Sequence, residues 1–141
     1  MTTKKVQRAL DKAGYHYEGE PGAWLLYESK YILLLFSDET ENRLRIFTPV
    51  IESNEIGPQQ LEQMLTANFL DAQDARYSLH EGFVVSLFTH PLRSMTREQL
   101  YDGIQQVINL SRSFGSSYSG SSAGPDPPLE KEEDEALKKR T

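Results

Sequence analysis

The 141-residue chain contains no cysteine. Disulfides, thiolate nucleophiles and cysteine zinc sites are excluded together, and a reducing compartment such as the cytoplasm is expected. Long apolar runs are missing too: the longest, Tyr31 to Phe36, is far too short to span a bilayer. The opening residues, Met1 to Lys5, lead into an amphipathic pattern with no apolar signal core. Basic residues are few, 15 Lys and Arg against 21 Asp and Glu, for a formal net charge of −6. Without a stripe of Lys and Arg to contact phosphates, neither nucleic acid nor an anionic membrane surface is an expected partner.

Reacting groups are equally sparse. His16, His80 and His90 stand at no metal-ligand spacing from one another. Ser86 and Ser94 have no nucleophile-elbow context, and the glycines form neither a phosphate loop nor a dinucleotide fingerprint. Glu39 with Glu41, and Asp71 with Asp74, fall in loop or turn contexts where acids are ordinarily solvated. No catalytic residue, metal site or cofactor is expected, and the chain does not read as an enzyme.

What the sequence does supply is periodicity. Val6, Ala9, Leu10 and Ala13 mark a first helix, with Thr2 or Thr3 as its cap and Gly14 as its stop. Three strands follow: Ala23 to Glu28, Tyr31 to Phe36, and Arg43 to Val50, with a further extended segment near Tyr17. Tyr31 to Phe36 is apolar at every position, which predicts cover on both faces, helices on one and a partner on the other. Pro49 suggests that the Arg43 strand ends there or lies at an edge, where Arg43 and Arg45 would block aggregation or grip an acidic partner.

A central helix begins at Pro58, with Leu61, Met64, Leu65 and Phe69 as its apolar stripe. The hairpin after it has two possible registers. A three-residue loop, His80-Glu81-Gly82, puts Leu79 opposite Phe83 and Tyr77 opposite Val85, gathering the apolar residues on one face; this register is expected. The last helix opens with the capping box Thr96–Gln99 and carries Leu100, Ile104, Val107, Ile108, Ser111 and Phe114 inward. From Ser116 the composition turns to serine, glycine and proline and then to charge. The expected division is one α+β domain over 1–115 and a disordered low-complexity tail over 116–141. The order α-β-β-β-α-β-β-α predicts an antiparallel sheet packed with helices.

The apolar residues exceed what three helices can cover. Trp24, Leu26, Tyr31 or Ile32, Phe47, Val84 and Phe88 cannot all lie beneath them, and a contiguous patch of such residues marks a surface for another protein.

The stretch Leu61-Glu62-Gln63-Met64-Leu65-Thr66-Ala67-Asn68-Phe69, followed by Ala75 to Leu79, the Glu81-Gly82 turn and Val84 to Leu92, resembles the type III secretion chaperone-like superfamily, the Tir-chaperone and YbjN-like proteins. The resemblance covers about residues 3–115; the Ser/Gly/Pro tail departs from the family pattern. It implies a small acidic cytoplasmic homodimer that binds other proteins without hydrolysing ATP. The central helix would be the dimer seam, with Leu61, Met64, Leu65 and Asn68 in it. Trp24, Arg45, Phe47, Val84 and Phe88 would face the partner polypeptide. The alternative is a YbjN-like small-ligand sensor or regulator, with the surplus aromatics lining a cavity.

Overall fold

The computed structural model describes residues 1–121. Three helices pack with a six-stranded antiparallel sheet. The order is α1 (Thr3–Ala13), β1 (His16–Glu20), β2 (Ala23–Glu28), β3 (Tyr31–Asp38), β4 (Arg43–Glu52), α2 (Pro58–Leu70), β5 (Arg76–His80), β6 (Phe83–Pro91) and α3 (Arg97–Arg112), with one 3-10 turn at Ser53–Glu55. The expected α+β architecture holds, and the extended segment near Tyr17 is a full strand, so four strands precede the central helix. In space the strands run β1-β2-β3-β4-β6-β5.

The helix ends follow local chemistry. Thr2 accepts a hydrogen bond from the Lys5 backbone, and Gly14 closes α1 in the left-handed conformation. Pro58 opens α2, and both halves of the Thr96–Gln99 capping box are made at α3.

One face of the sheet lies under α1 and α3. Trp24, Leu26, Leu33, Leu35, Leu44, Ile46, Val84 and Phe88 share a buried cluster with Val6 and Leu10 of α1 and with Leu100, Ile104 and Val107 of α3. Gly103 lets α3 come down on Phe88: a Cβ there would lie 2.7 Å from the Phe88 ring. Two polar groups on this face are satisfied by α3 carbonyls, Ser86 Oγ donating to Val107 at 2.9 Å and Tyr77 Oη to Leu110 at 2.7 Å.

Three expectations need correction. The hairpin takes the two-residue turn: Leu79 pairs with Val84, Tyr77 with Ser86 and His80 with Phe83. Glu81 and Gly82 both have positive φ, 48° and 85°, the combination a two-residue hairpin turn requires. Ser86, a polar residue, thereby goes to the buried face, where Val107 accepts its proton. Second, β4 is central, between β3 and β6, so Arg43 and Arg45 guard no edge. Pro49 sits beside a register shift between Pro49 and Ile51 and brings no N–H to the ladder. The nearby Ile32 carbonyl accepts instead from the Thr48 hydroxyl at 2.8 Å.

Third, the packed domain does not stop at Gly115. Tyr118 is buried, its ring edge-on to Tyr77 and Phe114 at 6.0 and 5.5 Å between centroids. Packing thus extends into the stretch expected to be disordered; residues 122–141 lie outside the described residues.

Candidate partner-binding surface

Among the described residues no helix lies over the second face of the sheet. Strand pairing sets Leu25, Leu34, Phe47 and Leu87 side by side across β2, β3, β4 and β6, with Glu18 and Arg76 at the two ends of the row. The next row on the same face holds Ala23, Phe36, Arg45 and Thr89. Phe36 and Phe47 stack with centroids 5.9 Å apart, and His80 meets Phe47 edge-on at 5.8 Å. Ile32 is 51% exposed and Phe36 40%. Scattered apolar residues on a surface are ordinary; a paired row across four strands is not scatter. Among the described residues β3 thus has helices on one face and none on the other.

A second apolar surface lies on α2. Only Met64 and Ala67 of this helix are buried. Leu61, Leu65 and Phe69, one ridge at i, i+4 and i+8, face outward with Leu70, and Phe69 is 87% exposed.

The expected partner-facing residues therefore divide. Arg45 and Phe47 stand on the open face. Trp24, Val84 and Phe88 do not: each is at most 3% exposed within one protomer, and the expectation that they face a partner is corrected. The cause is alternation. Trp24 takes the helix side of β2, where its indole N–H donates to Gln7 at 3.3 Å, and the two-residue turn sends Val84 and Phe88 to the same side. Leu25, Ile32, Leu34, Phe36, Phe83 and Leu87 occupy the places these three were given.

The residues expected in a dimer seam also divide. Leu61 and Leu65 are exposed, whereas Met64 packs into the protomer's own core. Asn68 is half-buried and engaged at home: its Nδ2 donates to the Tyr77 carbonyl at 3.0 Å and its Oδ1 accepts from the Tyr77 N–H at 2.8 Å. That carboxamide occupies the outer side of β5 as a neighbouring strand would.

Sequence reading missed the polar ties at the end of α2. Gln106 is buried on α3; its Oε1 accepts from the backbone of Asp74 and Ala75, and its Nε2 donates to Asp74 and Asp102. Only the position of Gln106 beside the apolar stripe of α3 hinted at this.

A groove of about 540 Å³ lies between α2 and residues 116–118, lined by Gln59, Glu62, Gln63, Thr66, Asp71 and Tyr118 among others. Of the aromatics expected to line a cavity, none is in it. Among the described residues no cluster of His, Asp or Glu could hold a metal ion, and no helix is long and apolar enough to cross a membrane.

Compared with solved structures, the chain matches one from the type III secretion chaperone SycH of Yersinia pestis in complex with a stable fragment of YscM2. The TM-score is 0.62 at 15% identity, over 80% of this chain and 98% of that one. The fold is that of the type III secretion chaperones. A chain of the HopA1–SchA chaperone–effector complex shares this chaperone-like fold, with a TM-score of 0.60 at 15% identity over 79% of this chain and 92% of that one. YbjN of E. coli, described as a putative transcription regulator, aligns with a TM-score of 0.54 at 12% identity over 77% and 84% of the two chains. No family model matches the sequence, and no curated protein matches it.

Proposed function

We propose that this chain is a non-enzymatic, chaperone-like protein-binding module of the cytoplasm, working as a homodimer that holds a stretch of a partner polypeptide on the open face of its sheet. The observation that carries the reading is the row Leu25–Leu34–Phe47–Leu87, with Phe36 stacked on Phe47 and Arg45 beside it. Apolar pockets on a sheet take alternate side chains of an extended segment, and Arg45 suits an acidic residue in it. Leu61 and Leu65, with Phe69 and Leu70, form the dimer seam; Met64 and Asn68 support it from inside each protomer. Solved chains of the same fold come from complexes of chaperones with other proteins, which supports this reading.

Affinity capture at native level, with cross-links placing the captured polypeptide, tests the proposal. Phe36→Ser is expected to abolish capture while leaving the melting temperature within a few degrees, since Phe36 is only partly buried. Equal capture by both proteins, or cross-links confined to other surfaces, would count against the sheet face. The second reading, a YbjN-like sensor or regulator of a small ligand, draws on the likeness to YbjN and on the polar groove beside α2. It predicts a metabolite-dependent change in Tyr118 environment that the first reading does not.

A further inference from the structure

α2 is weakly held by side-chain burial. A helix of its length is marginal alone in water, and this one commits only Met64 and Ala67 to the core. Its other ties to the body are polar and few. Asn68 grips Tyr77 at the outer side of β5. Gln106 of α3 holds the turn after it through Asp74 and Ala75, and the others among the described residues come from one short segment beyond α3.

In that segment the Tyr118 hydroxyl meets Gln63 Oε1 at 3.1 Å, two turns of α2 before its end. Ser119 Oγ and the Gly120 N–H both donate to the carbonyl of Asp71, the C-cap of α2, at 3.2 and 3.4 Å. Gly120 lies so close to Ala72 that a Cβ would stand 2.5 Å from the Ala72 carbonyl oxygen. The segment is fastened to α3 in turn. Ser113 Oγ bridges the N–H and carbonyl of Ser119 at 2.8 and 2.9 Å, and Asn109 donates to the Gly120 carbonyl at 3.2 Å.

We propose that Ser116–Ser121 is a clasp that fixes α2 on the body of the protein and so governs how the Leu61–Leu65–Phe69 ridge is presented for self-association. The inference rests on the reading of that ridge as a dimer seam. It gives the segment leading to the C-terminus control over whether two copies meet.

The test uses full-length protein carrying Tyr118→Ala, Gly120→Ala or the milder Tyr118→Phe. Hydrogen exchange is followed over residues 58–70 and over β2 to β4, with the self-association constant from sedimentation. Tyr118→Ala and Gly120→Ala should each lower α2 protection and weaken association about tenfold, with β2 to β4 unchanged and Tyr118→Phe intermediate. Unchanged α2 protection, an equal loss in β2 to β4, or an unchanged association constant beside a loosened α2 would overturn the proposal. A wild-type protein that stays monomeric at every concentration overturns the seam and the control over association with it. The exchange contrast between α2 and the strands would then separate that failure from a failure of the clasp.

Discussion

Tyr77 joins three functions in one residue. Its ring is buried among Phe114 and Tyr118, its hydroxyl donates to Leu110, and its backbone is held by Asn68. Burial, foremost, pushes its phenol well above the ordinary value of 10. The unfolded phenol therefore releases its proton near pH 10 while the folded one keeps it. This contribution to stability is intact below that pH and falls as pH rises through and above it. Tyr77→Phe should cost about 1 kcal/mol at neutral pH, from the lost hydrogen bond, and flatten the alkaline fall. Urea titrations at pH 7 and above pH 10 would check both; parallel losses in the two proteins would refute the assignment. At Gly103 two effects oppose. Alanine gains about 1 kcal/mol in helix propensity, but overpacking a filled core costs about 1–3 kcal/mol. The 2.7 Å approach to a buried Phe88 ring decides for the second, so Gly103→Ala should lower the melting temperature.

Among the elements, α1 and α3 were the most legible. Thr2, Gly14 and the Thr96–Gln99 pair are local signals, and local geometry honours them. The β5–β6 hairpin was not, because both faces of β6 carry apolar residues. Val84 and Phe88 point one way with Ser86, while Phe83, Val85 and Leu87 point the other. A count of apolar side chains cannot choose between such faces; the choice lies in the α3 carbonyl that accepts from Ser86. The α2 stripe shows a second limit. Periodicity tells which residues share a side of a helix, and says nothing of what covers that side. Leu61, Leu65 and Phe69 do lie together, facing away from the core. Trp24 illustrates the reverse error: one step along β2 from the open face, it is buried. Trp24→Ala should cost about 3–5 kcal/mol, against the small change expected at Phe36.

At the scale of the whole molecule, the fold was read from element order, and exposed apolar residues were expected on the sheet but at neighbours of those that are exposed. The apolar excess divides between two surfaces, the open sheet face and the α2 ridge. Division of labour follows for the proposed dimer. Leu65→Glu, at a site 62% exposed, should give a monomer by light scattering with little change in melting temperature. Partner capture through the sheet face should survive that change in part. A dimer unaffected by Leu65→Glu would move the seam elsewhere.

The grip of Asn68 on Tyr77 sets a direction on growth. Endless stacking of sheets into a fibre needs two vacant flanks per subunit, one to offer and one to receive. On the β5 flank the middle rung is already taken by a side chain of the same protomer, so among the described residues β1 is the less obstructed flank for an arriving strand. A union of two copies through that remaining flank joins like to like and closes on itself, so the asparagine narrows the ways in which a protein with this much oily surface can add strands end to end.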